Sequence, residues 1–210
     1  MTQEWSQQIV DRVGREVRRI RGAVRPALSA QALSDRTAEL GHPISRAVIS
    51  DLETGRRRGL DVADLMVLAA ALRVAPVQLL FPDLPRGTVS VLPDLDQESH
   101  DAVRWFGGEA GLLTPSESWT DGRGEPTRVW TRTQFDSQVD RVTLTRAWLK
   151  AIASMRSART QIRSGVLANE TPEQLEALEI LYDSARERVA ALAEVLTADG
   201  LIVGEDHPRA

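Results

Sequence analysis

The chain has 210 residues, 42% apolar and 27% charged, a balance that excludes wholesale disorder and fits one or two packed domains. It has no cysteine and only three scattered histidines, His42, His100 and His207. Disulfides, thiol nucleophiles and a fully liganded metal site are therefore excluded, and a reducing, cytoplasmic setting is expected. The N-terminus is polar and no run approaches about 18 apolar residues, so neither secretion nor a membrane span is expected.

The net charge of −4 hides an asymmetry. Residues 1–86 carry 13 Arg against 10 acids, or +3, whereas residues 87–210 carry 12 Arg and Lys150 against 20 acids, or −7. A basic head joins an acidic body.

Ile9, Val10, Val13, Val17 and Ile20 recur at steps of three and four, which predicts an amphipathic helix from Trp5 to about Gly22. Ser29 stands as the N-cap of a second helix that runs through Leu33 to Leu40 and stops at Gly41-His42-Pro43. Ser45 caps a third helix with Val48, Ile49 and Leu52 on its inner face and Gly55 as its stop. After the basic loop Arg56-Arg57-Arg58-Gly59, Asp61 caps a fourth helix through Leu72, and Pro76 opens a fifth through Leu80.

Residues 87–135 read as a linker with local structure, punctuated by Pro93, Pro115 and Pro126 after Pro82 and Pro85. Asp101 to Phe106 is expected to form a helical turn or two, and Thr127 to Thr133 a weak edge strand. Trp105, Phe106, Trp119, Trp130 and Phe135 concentrate here, so the segment is expected to dock on something. A long helix is expected from Asp136 to Ser164, carrying Val142, Leu149, Ile152, Met155, Ala158 and Ile162. A second, 172–198, places Leu175, Leu178, Tyr182, Ala185, Val189, Leu192 and Leu196 in a heptad seam. Together, residues 136–200 form an antiparallel hairpin, read as a homodimerisation device, with 201–210 as a tail. The alternative is that the hairpin folds back on the chain's own Trp-bearing segment.

The segment from Leu28 to Leu80 carries the functional reading. A helix reads the major groove when its exposed N-terminal side chains reach base edges while its other face packs on a support. With Val48, Ile49 and Leu52 inward, Arg46, Ala47, Ser50 and Asp51 of the helix capped by Ser45 face outward. Arg46 can pair bidentately with guanine, Ala47 can touch a thymine methyl, and Ser50 can donate or accept. Arg56, Arg57 and Arg58 follow where a DNA backbone would pass, and the helix start at Ser29, with Gln31 beside it, offers N–H groups to a phosphate.

These residues resemble the lambda-repressor-like, Xre/Cro-type helix-turn-helix family. The resemblance rests on Arg18-Arg-Ile-Arg21, Leu28 to Leu33, Ile44 to Gly55 and the core residues of Leu65 to Leu80, and covers residues 10–81. It implies a five-helix DNA-binding domain, sequence-specific binding of double-stranded DNA, and pairing of Arg21 with Glu53; with the long-helix hairpin, the chain is expected to be all-α. A carboxylate at position 53 in an otherwise apolar stretch asks for such a partner on its own account. The chain departs from the family at Ala30, where Gln is usual, and in a lengthened turn, Asp35 to Pro43.

The function expected is a transcriptional regulator, most simply a homodimeric repressor that occupies a DNA operator in a bacterium or bacteriophage. The alternative is an antitoxin or other module whose hairpin and aromatic segment grip a protein partner, with autoregulatory DNA binding. A third reading gives Arg156, Arg159 and Arg163, on one helix face, a second DNA contact. Lys150 and Ser154, one helical turn apart, have no pocket signal, so no catalytic residue and no cofactor is expected.

Overall fold

The computed structural model of the chain describes residues 2–115, 119–120, 126–127, 130–134, 140–167, 171–198 and 200. Two compact units divide at residues 134 and 135. The described residues are mostly helical, and none of their helices is long and apolar enough to cross a membrane. The expected tail 201–210 lies outside the described residues.

In the first unit, five helices follow the caps and stops of the sequence: α1 (Thr2–Ala23), α2 (Ala30–Glu39), α3 (Arg46–Glu53), α4 (Val62–Leu72) and α5 (Pro76–Leu80). The side-chain oxygens of Ser29, Ser45 and Asp61 accept from the backbone N–H groups of Ala32, Val48 and Ala63, satisfying donors that the first turns would otherwise orphan. At the C-terminus of α2, Gly41 takes a positive φ of 83°, so its N–H and that of His42 turn back to Ala38 and Thr37 carbonyls. The five helices enclose one core built on Val13, Val17, Leu33, Ile49, Leu52, Leu68 and Leu79. The predicted apolar stripe of α1 supplies its share, with Val10, Val13, Val17 and Ile20 buried and Ile9 packed beside them.

The first unit does not end at residue 86, where the sequence places the head's boundary. Thr88–Leu92 (β1) and Leu95–Glu98 (β2) form an antiparallel hairpin that the sequence reading lacks, followed by α6 (Ser99–Phe106). A second core of Phe81, Val89, Val91 and Ala102 joins this hairpin to α5, with Leu80, Val77 and Trp105 against it. The Phe106 ring meets Phe81 edge-on, with centroids 5.7 Å apart. Arg12 of α1 donates through both terminal nitrogens to the Ser90 carbonyl and lies over the Phe81 ring. The linker therefore begins as packed structure, because Phe81 supplies a ring for the segment beyond it to cover. Leu113–Pro115 (β3), Trp119–Thr120 (β4), Pro126–Thr127 (β5) and Trp130–Arg132 (β6) complete the unit as two short pairs, β3 with β6 and β4 with β5. Of the expected aromatics, Trp130 is exposed and Phe135 lies outside the described residues.

The second unit is a pair of contacting helices, α7 (Arg141–Leu167) and α8 (Pro172–Ala198). Ala151, Ile152 and Val189 centre its core, with Trp148 and Leu192 packed on them. The α8 seam lies inward as expected, Val189 and Leu196 being buried, but Val142 and Leu149 of α7 are about half exposed. They stand one heptad apart on the side of α7 away from Ala151 and Ala158, so one neighbouring helix cannot cover both faces. The stretch from Asp136 to residue 139, where the sequence reading begins this helix, lies outside the described residues.

Candidate nucleic-acid interface

The eight-residue helix α3 is fixed at both ends. Ahead of it, Thr37 is fully buried; its Oγ1 accepts from the Ile44 N–H at 2.9 Å and donates to the Ser34 carbonyl at 2.7 Å, locking the turn from α2. Ser45 then caps the first turn. At the other end, Gly55 adopts φ +70°, and the N–H groups of Gly55 and Arg56 return to Leu52 and Asp51 carbonyls. Left-handed backbone of this kind favours glycine because it has no Cβ to clash.

Helix α1 braces α3 from behind. Arg21 donates from Nε and Nη2 to the two oxygens of Glu53, at 2.8 and 2.9 Å, and from Nη1 to the Leu28 carbonyl at 2.6 Å. One guanidinium thus ties α1 to the end of α3 and to the entry of α2. The hydrogen bond to Glu53 pushes the Arg21 pKa up, against the lowering effect of burial, so the guanidinium stays charged. Two turns earlier, Gly14 lies so close to α3 that a Cβ there would overlap the Leu52 carbonyl.

A second pin holds the flanks of α3. Asp64 of α4 is 8% exposed. Its Oδ1 lies 2.9 Å from His42 Nε2, in the turn before α3, and its Oδ2 accepts from Arg57 Nη2 at 2.6 Å, in the loop after it. Burial raises the Asp64 pKa, but hydrogen bonds from His42 and Arg57 and the charge of Arg57 outweigh it and hold the carboxyl below its ordinary value. Gln7 of α1 adds a hydrogen bond to the Arg57 carbonyl at 3.0 Å while holding Asp11 at 2.7 Å.

The residues singled out in the sequence sort into three groups. Arg46 and Ala47 are exposed, Ser50 is half-buried beside them, and Ile49 and Leu52 are buried on the opposite face, so the outward set sits together. Arg56 and Arg58 are exposed next to it, and Arg56 Nε donates to Asp51 Oδ1 at 2.8 Å, which neutralises Asp51 on that surface. Arg57 departs from the expectation of an outward arginine run: Asp64 draws it inward, because a buried carboxylate needs a cation. Ser29 and Ser45 spend their hydroxyls on capping, and Gln31 is exposed with its amide on Asp35 at 2.8 Å.

Gly14, Gln7, His42 and Asp64 were not singled out as site residues. Their signals in the sequence are faint: a glycine inside an amphipathic helix, a histidine before a proline, an acid in the first turn of an apolar helix. Among the described residues, no group of three His, Asp or Glu side chains could hold a metal ion. Comparison of the chain with family models, characterised proteins and solved structures finds no match.

Proposed function

We propose that residues 1–86 are a lambda-repressor-like, sequence-specific head for double-stranded DNA, and that the chain is a transcriptional regulator acting as a repressor. The observation that carries this reading is the division of α3. Its inner face is buried and braced by Arg21–Glu53 and Gly14, while Arg46, Ala47 and Ser50 stand together on the outer face with Arg56 and Arg58 alongside. Short side chains flanked by arginines suit close approach to base edges, with phosphates gripped at the margin. Asp64 supports the reading by holding the chain on both sides of α3, so the helix is presented in one pose. Residues 136–200 serve, on this reading, to pair two copies, giving two heads for two half-sites.

Enrichment of random duplex DNA on the purified chain, at several salt concentrations, tests the reading. A recurrent sequence is expected, in two copies, and it should be lost in an Arg46→Ala, Arg56→Ala double variant that still folds. Enrichment that is sequence-independent and vanishes with salt would refute it.

A further inference from the structure

We propose that Arg56 reads a guanine in the major groove and that Asp51 is the positioning residue that aims it, so that the target sequence carries a G·C pair under the end of α3. The inference rests on the DNA-binding reading of residues 1–86 and names the base that this part of the head takes.

The chain turns back on itself at the end of α3. With Gly55 at φ +70°, the Arg56 N–H reaches the Asp51 carbonyl at 2.9 Å, which brings residue 56 back beside the last turn of the helix. The side chains close the same loop, Arg56 Nε donating to Asp51 Oδ1 at 2.8 Å. Residue 56 is thus tied to residue 51 through backbone and side chain together. Asp51 stands one turn beyond the exposed Ala47 and about 160° round the helix from the buried Ile49. The pair therefore lies on the outer face with Arg46, Ala47 and Ser50.

The nitrogens left open decide what the guanidinium can do. An arginine donates from Nε and from its two Nη atoms. Asp51 takes Nε, and among the described residues the Nη atoms of Arg56 have no hydrogen-bond partner. The open end is a pair of parallel donors. In the major groove guanine offers such a pair two acceptors, N7 and O6, whereas adenine sets its N6 amino group, itself a donor, where the second acceptor would stand. A phosphate contact needs no such aim. Arg58, exposed and without a side-chain partner among the described residues, suits that role, since a free arginine swings to any phosphate within reach. A bare carboxylate at position 51 would repel a phosphate-lined groove. Paired with Arg56 it brings no net charge there, and it fixes the plane of the guanidinium before DNA arrives, so less side-chain freedom is lost on binding.

Random-duplex enrichment on the full wild-type chain and on Arg56→Ala, Asp51→Ala and Asp51→Asn, followed by binding isotherms on the recovered sequence, tests this. The two side chains are 65% and 48% exposed, so the variants should fold, which circular dichroism checks. The wild type is expected to require guanine at one position. Exchanging that G·C pair for A·T should weaken the wild type by roughly 5- to 150-fold and leave Arg56→Ala nearly unchanged. Guanine replaced there by 7-deazaguanine, which lacks the N7 acceptor, should weaken the wild type as well. Asp51→Ala should relax the preference at the same position, and its loss should not add to that of Arg56→Ala in the double variant. Asp51→Asn, whose amide oxygen still accepts from Nε, should keep part of the preference. If Arg56→Ala weakens every sequence equally and lowers the salt slope by about one, Arg56 is a phosphate contact and the proposal is overturned. An Asp51→Ala variant that keeps the full guanine preference, or alters a different position, would overturn the aiming role of Asp51. A wild type that recovers no recurrent sequence would overturn the DNA-reading head and this inference with it, whereas a recurrent sequence without the guanine overturns this inference alone.

Discussion

Arg21 and Glu53 meet as fork and carboxylate, two parallel hydrogen bonds of 2.8 and 2.9 Å joining the end of α1 to the end of α3. The Glu53 side chain is 8% exposed and that of Arg21 20%, so neither charge can be stranded cheaply. Glu53→Ala should lower stability by about 2–4 kcal/mol, below the full cost of a deeply buried pair because Arg21 keeps some solvent. Arg21→Met with Glu53→Leu should recover most of the loss. Urea denaturation of both variants checks this; a double variant no more stable than Glu53→Ala would contradict it.

Two glycines of α1 should respond oppositely to the same change. Gly14→Ala pushes a methyl into the Leu52 carbonyl, and backbone has no rotamer to yield, so a loss on the order of 1–3 kcal/mol is expected. At Gly22 nothing lies within 4 Å of the added carbon. Gly22→Ala should therefore stabilise by about 0.5–1 kcal/mol through helix propensity. Thermal unfolding of both proteins gives the signs directly.

Asp64 predicts an acid limit. Its carboxyl is held below its ordinary value in the folded protein, so the stability it contributes is complete above about pH 4 and is lost as pH falls through the lower, folded value. Asp64→Asn should remove this part of the acid dependence and cost about 1–3 kcal/mol at neutral pH, since Arg57 loses its counter-charge. Denaturation midpoints across an acid series measure both. Parallel curves for wild type and variant would show that Asp64 does not carry the effect.

Arg46 of α3 and the loop arginines Arg57 and Arg58 should behave as different residues. If the head binds DNA as proposed, Arg58→Ala should weaken binding to all sequences and lower the salt slope by about one. Arg46→Ala should instead cost about 1–3 kcal/mol and relax the preference at one base position. Arg57→Ala should first appear as lost stability, because its guanidinium belongs to Asp64. Binding isotherms at several salt concentrations, beside unfolding curves, separate the three.

The helices of the head were legible because their boundaries are local. Ser29, Ser45 and Asp61 each cap a helix three or fewer residues away, and Gly41 and Gly55 stop one, so short stretches of sequence suffice. The long helices were legible through their repeat. The β1–β2 hairpin was not: its turn at Pro93-Asp94 lacks the usual Asn-Gly or Asp-Gly pair, Asp94 takes φ +61°, and the strands are held by packing against Phe81. Of the candidate site, the outward placement of Arg46 and Ala47 was legible, and the bracing behind α3 was not. Nothing within a run of three arginines tells which one turns back to an acid seven residues later, and no helical periodicity reports that a glycine touches another helix.

If the head binds DNA as proposed, the division of labour within α3 also bears on how readily it could change its target. Among the described residues, the hydrogen bonds and close approaches that seat the helix involve its inner face, its termini and its neighbours, and none of them uses the side chains of Arg46, Ala47 or Ser50. Those three positions can vary without disturbing the scaffold. A lineage could drift through new letters at 46, 47 and 50 one substitution at a time, each intermediate remaining a folded protein.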